Sequence, residues 1–181
     1  FKKGLYDKYG IRLAVAYQMA YQKVSDSLSD KDTAWGGWFQ LEGAWTVLNR
    51  GKDNPGEIVV ALDARHTINK SDNATTAKFY REFGSLWASV GGFLDWDLYP
   101  GILFWEQRLG KDMLVFRVGQ QAPEMVLDFF RFGDARTQFS GTQQSFPAST
   151  IPYPAAGLGI SARWFPIESS DLYLRGIVQD I

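Results

Sequence analysis

The chain is 181 residues long, carries a formal net charge of -1 and has no cysteine. One ordinary domain fits that length, the balanced charge offers no basic field to nucleic acid, and disulfides, thiolate metal sites and a cysteine nucleophile are excluded. No run of 18 or more apolar residues is present, which excludes a transmembrane helix. No apolar leader segment follows Phe1-Lys2-Lys3-Gly4, so the chain reads as a mature protein or a fragment. Hydropathy alone does not separate a soluble β-protein from a membrane β-barrel, whose strands alternate apolar-out and polar-in.

Residues 11–23, IRLAVAYQMAYQK, alternate strictly, and the side chains of a strand point to opposite faces with period two. One face holds Ile11, Leu13, Val15, Tyr17, Met19 and Tyr21; the other holds Arg12, Ala14, Ala16, Gln18, Ala20 and Gln22. WGGWFQLEGAWTVLNR repeats the pattern, with Trp35, Phe39, Leu41, Trp45 and Val47 against Trp38, Gln40, Glu42, Thr46 and Arg50. In EIVVALDARHTI, Ile58, Val60, Leu62 and Ala64 oppose Glu57, Asp63, Arg65 and Thr67. Residues 73–90 break the alternation and predict a short helix inside a loop. The letters YPG at 99–101 predict a turn. After it, ILFWEQRL (102–109) and MLVFRVGQQ (113–121) form a hairpin around GKD. Residues 122–150 predict a long connection with helical spacing at its start, a length that in a compact domain is usually functional. AAGLGISARWF and LYLRGIVQDI supply the last two strands. Roughly seven strands result, several of about ten residues or longer, the length that crosses a bilayer at a tilt; strands of globular proteins more often have about five or six.

The mid-strand charges sort by parity. Arg12, Glu42, Asp63, Arg65, Glu106, Arg108, Arg117, Arg163 and Arg175 all fall on the less apolar face. Charges placed there need water or close pairing. A membrane barrel meets that need by turning its apolar face to lipid and its charged face to a wet interior, which makes these residues pore-lining and substrate-contacting. A soluble antiparallel sandwich meets it by turning the charged face to solvent. Strand length and the seven tryptophans favour the barrel. The expected fold class is therefore all-β, a transmembrane antiparallel β-barrel with one or two short loop helices.

Chemistry-bearing constellations are sparse. His66, the sole histidine, reads as an interfacial or packing residue. GLGISA (157–162) has the letters of a relaxed dinucleotide fingerprint without the strand before it and the helix after it that the fingerprint needs. Asp95 and Asp97 around Trp96 read as a strand end rather than the paired carboxylates of a glycosidase. No enzyme, cofactor or metal is expected.

Four stretches, LYDKYGIRLAVAYQ, VVALDARHTI, ILFWEQRLGKDMLVFRVGQQAPEMVLDFF and FPASTIPYPAAGLGISARWFPIESSDLYLRGIVQD, share a further property. In this order and spacing they resemble the carbohydrate-selective outer-membrane porins of Gram-negative bacteria, the OprB family, across nearly the whole chain. The family's Trp-Gly-Gly motif before the first strand is not seen, and such porins close with about sixteen strands. The resemblance thus implies that residues 1–181 are a single domain, the N-terminal part of a larger barrel. It implies passive, selective diffusion of carbohydrates through a water-filled pore lined by arginines and aromatics. The partners it implies are sugar solutes, outer-membrane lipid and further copies of the chain, with no nucleic acid. It also makes residues 122–150 a segment folding inward to narrow the pore, with Phe129, Phe130, Arg131, Arg136 and Phe139 as lining candidates, or else anchors of the loop to the wall. A plugged or enzymatic barrel and a soluble sandwich that binds a ligand stay open as alternatives.

Overall fold

The computed structural model describes residues 2–85, 93, 95–123, 126, 156–167 and 172–180. The alternating stretches become strands β1 (Ile11–Lys23), β2 (Thr33–Leu48), β3 (Gly56–Thr67), β4 (Trp96–Leu109), β5 (Leu114–Gln121), β6 (Gly157–Trp164) and β7 (Leu174–Gln179). They form one seven-stranded sheet in the order β1-β2-β3-β4-β5-β6-β7. Each is antiparallel to the next. The sheet is an up-and-down meander, open, with β1 and β7 at its edges. At 16 residues β2 is the longest strand, nearly three times the usual length of about five or six.

At one end of the sheet the strands join through residues 49–55, 110–113 and 165–173; at the other, through 24–32, 68–95 and 122–156. The hairpin at 110–113 turns on consecutive left-handed residues, Gly110, Lys111 and Asp112, so the GKD turn forms as predicted. The helix expected within 73–90 is a 3-10 helix over Thr76–Phe83 that stops at left-handed Gly84. A second helix, α1 (Lys2–Tyr9), stands before β1, where the sequence predicts none. Gly10 joins it to the sheet: its N–H donates to Tyr6 O at 2.8 Å and its carbonyl accepts from the Thr46 N–H at 2.8 Å. Its φ of 75 is the left-handed conformation that favours glycine.

The predicted turn at 99–101 is corrected. Tyr99, Pro100 and Gly101 lie inside β4, which begins at Trp96. The β3–β4 ladder absorbs them at two irregularities, between Ala61/Leu62 and between Asp63/Arg65. Such irregularities tolerate a proline that donates no ladder bond, and each re-aims the side chains beyond it. Tyr99 and Leu103 therefore share parity but not a face: Tyr99 pairs with Asp63, Leu103 with Val60.

Register fixes the two faces. Ile11, Trp45, Ile58, Trp105, Val118, Ile160 and Val178 follow one another across the sheet, and Val15, Leu41 and Leu62 share their face. Burial on these faces is the reverse of that in a water-soluble sheet. The apolar face is bare, with Val15 64%, Met19 62% and Val178 80% exposed. The buried side chains stand on the charged face: Ala34, Trp38, Thr46, Glu57, Phe104, Glu106, Val115, Gln121 and Ser161. Described residues from two of the longer connections pack on that face. The 3-10 helix packs on β1 and β2 and buries Phe79 and Thr76, while Phe93 stacks edge-on against Trp38 at 5.7 Å. Burying one such phenylalanine contributes about 1.5–3 kcal/mol. At the other connection, Ala122 and Val126 are buried.

Candidate functional site

Arg12, Glu42, Asp63, Arg65, Glu106, Arg108, Arg117, Arg163 and Arg175 stand on one face of the sheet by register, while Arg50 lies in the turn beyond β2. They form separate groups rather than one centre. Small side chains between them, Ala14, Ala16, Ala44 and Ala61, keep the face low.

At β1–β3, Arg12 reaches across β2 to Glu57, Nη2 to Oε2, at 2.5 Å. The hydroxyl of Thr46, paired with Glu57 in register, donates to its other carboxylate oxygen at 2.7 Å. Glu57 is 4% exposed, so its charge is held by these donors rather than by bulk water. Glu42 stands exposed in mid-strand, opposite Ala14 and Ala61.

On β3, Asp63 and Arg65 lie two residues apart on one face and clasp each other, Nη2 to Oδ2 at 2.6 Å and Nε to Oδ1 at 3.0 Å. The guanidinium lies between two indoles, 4.0 Å from the Trp38 ring centre and 4.1 Å from that of Trp96. Each such contact contributes about 0.5–2 kcal/mol depending on desolvation. Arg65 is thereby held by three side chains, Asp63, Trp38 and Trp96. Sequence parity placed Trp38 here; it missed Trp96, whose position depends on the two irregularities in the β3–β4 ladder.

On β4 and β5, Glu106 accepts from Arg108 Nε at 2.9 Å and from Arg117 Nε at 2.8 Å. Arg117 is its cross-strand partner in register and also lies over the Phe104 ring at 5.1 Å. Further along, Arg163 and Arg175 pair directly opposite each other on β6 and β7. Arg175 donates to the Val126 carbonyl and, at 2.7 Å, to the Tyr173 hydroxyl. The opening of the long connection thus reaches the charged face at β7. The candidates Phe129, Phe130, Arg131, Arg136 and Phe139 lie outside the described residues.

Outside the strands, Asp95 accepts from the Lys70 ammonium at 2.7 Å and from the Thr67 N–H at 3.2 Å. The Lys70 hydrogen bond leads in holding its carboxyl below the usual carboxylate range. Asp95, Lys70, Asp97, His66 and Arg65 line an open depression of about 320 Å³. His66 itself accepts from or donates to the Tyr17 hydroxyl at 3.0 Å and stacks on that ring, on the apolar face. Among the described residues, no group of three or more His, Asp or Glu is arranged to hold a metal ion.

Chemically, the face offers fixed guanidinium donors, buried carboxylates already neutralised by arginine, and indole and phenol rings beside them. That arrangement suits reversible contact with hydroxyl-rich or anionic solutes. No family model matches the chain, and no curated protein or solved structure matches it either.

Proposed function

We infer that the chain forms part of the wall of an outer-membrane β-barrel porin, as its resemblance to the carbohydrate-selective OprB family implies, and that sugars diffuse passively past its charged face. The observation that carries this reading is the reversal of burial. Large apolar side chains are bare on one face while Glu57 and Glu106 are buried on the other. A soluble monomer rarely exposes an apolar patch of more than a few hundred Å². A lipid-facing wall does so by design.

The apolar face also has the anatomy a bilayer asks for. Trp45, Trp105 and Trp164 lie toward one end; Tyr17, Tyr21, Trp35 and Phe39 lie toward the other. Aliphatic residues such as Val15, Leu41, Leu62 and Val60 fill the band between, where no charged side chain is registered. At about 3.3 Å per residue, Trp35 and Trp45 are roughly 33 Å apart along β2. A tilt of about 40° turns that into roughly 25 Å of height, the apolar band of an outer-membrane barrel. In lipid the free edges of β1 and β7 need partners, so further strands complete the wall in this reading.

The test is sugar influx into liposomes carrying the full-length protein. Glucose should enter faster than a disaccharide, and Arg117→Ala should change the rate. A folded barrel that passes neither sugar refutes the porin reading and leaves a plugged barrel.

A further inference from the structure

The connection that follows β3 is fastened onto the charged face. Ala74 bridges to Ala34 near the start of β2. The 3-10 helix Thr76–Phe83 then lies against Gly36 of the same face, where an added Cβ would collide with the Thr76 hydroxyl and press on Phe93 at 3.3 Å. A glycine inside a strand allows such a close approach. Phe79 is fully buried under the helix, Phe93 stacks on Trp38, and the Phe93 carbonyl accepts from the Ala77 N–H at 3.2 Å. The β1–β2 connection ties down the far end of the helix: the Glu82 carbonyl accepts from the Leu28 N–H at 2.6 Å and from the Ser27 hydroxyl at 3.2 Å. Trp35, next to Gly36 and on the opposite face, belongs to the aromatic end of the apolar face. The helix is therefore clamped at the height of that end.

Side chains three apart eclipse one another in a 3-10 helix. Thr76 and Phe79 make up the side that is buried against the sheet. Lys78 and Arg81 make up another side, and both are exposed. Arg81 Nε donates to the Tyr80 hydroxyl at 3.2 Å, and the guanidinium lies 5.6 Å from the centre of that ring. The clamp thus holds two cationic side chains on the free side of a helix whose other side is pinned to the charged face.

We propose that Lys78 and Arg81 form a cationic rim at the mouth of the pore on the side of the long connections, and that this rim favours anionic over cationic solutes. Charged side chains at a narrow part of a pore sort solutes by the field they set up there. The proposal rests on the reading of the charged face as the inner wall of a pore, and it adds to that reading the residues that discriminate by charge.

The test is the reversal potential of the full-length protein in planar bilayers under a KCl gradient, for wild type, Lys78→Gln, Arg81→Gln, Arg81→Lys and the double Gln variant. Both side chains are exposed, so these changes do not threaten the fold. The anion-to-cation permeability ratio should fall about twofold for each charge removed, the scale of a unit charge roughly 10 Å from the ion in water. Arg81→Lys, which keeps the charge, should stay near the wild-type ratio. Lys52→Gln, exposed in the short connection at the opposite end of the sheet, serves as the reference and should move the ratio less. An open channel whose ratio moves no more in Arg81→Gln than in Lys52→Gln, or falls as far in Arg81→Lys as in Arg81→Gln, overturns the rim and leaves the porin reading intact. A folded wild-type protein that carries no current overturns the porin reading, and the rim with it.

Discussion

Val15→Arg distinguishes the two environments the apolar face can have. Val15 is 64% exposed and stands opposite Leu41 in mid-strand, between the two aromatic ends of the face. So exposed a side chain gives up few protein contacts when replaced. If the face met water, the change would stay within about 0.5 kcal/mol. Against hydrocarbon near mid-depth, an arginine on a barrel's outer face costs about 2–4 kcal/mol, a drop of roughly 30- to 700-fold in the ratio of folded to unfolded protein at about 1.4 kcal/mol per decade. Equilibrium unfolding by urea in lipid vesicles, followed by tryptophan fluorescence, measures the loss. Ala16→Arg, one residue on and on the charged face, serves as the control and should lose much less. A Val15→Arg loss below about 0.5 kcal/mol, or one equal to that of Ala16→Arg, refutes the assignment of this face to lipid.

Three further outcomes follow from the geometry. Glu106→Gln removes the 5%-exposed carboxylate that holds Arg108 and Arg117; a destabilisation of about 1–3 kcal/mol, typical of a lost hydrogen bond to a charged group, should appear as a lower denaturation midpoint, and an unchanged midpoint would show the network to be energetically idle. Gly119→Ala places a Cβ against the Leu103 carbonyl and Phe104 at a φ of 136; a loss of about 1–3 kcal/mol should be seen by the same assay, and a neutral result would mean that β4 and β5 are less closely apposed there. Asp95 is more acidic folded than unfolded, chiefly because of its Lys70 hydrogen bond. Its stabilising contribution is therefore present above the unfolded carboxylate value near pH 4 and is lost as pH falls through the lower folded value. The acid limb of the stability–pH curve should flatten in Asp95→Asn, and an unaltered limb would contradict the pairing.

The strands were legible because alternation is a local signal. β1 begins and ends on the residues that the sequence assigns, and β2, β3 and β5–β7 differ from the assignment by a few residues at their ends. The sorting of Arg12, Glu42, Asp63, Arg65, Glu106, Arg108, Arg117, Arg163 and Arg175 onto one face was legible for the same reason. What parity cannot see is a change of register. The irregular pairing opposite Ala61–Arg65 carries β4 through Tyr99-Pro100-Gly101, where the composition spells a turn, and delivers Trp96 to Arg65. Helix α1 was hidden for a different reason: KKGLYDKY shows no apolar stripe, and its attachment to the sheet runs through the backbone at Gly10. Nor does any sequence spacing reveal that Arg12 bridges to Glu57, 45 positions away, since that contact exists only once β2 lies between them.

The central claim, that one face meets lipid and the other water, is tested most directly by cysteine labelling, for which the absence of native cysteine makes the chain suited. Val60→Cys and Ala61→Cys are neighbours on β3, both partly exposed and on opposite faces. In the full-length protein reconstituted into vesicles, a membrane-impermeant thiol reagent should modify Ala61→Cys and spare Val60→Cys, and a fluorophore attached at Val60→Cys before reconstitution should be quenched by spin-labelled lipid tails. Equal modification of both cysteines, or the reverse order, would contradict the account.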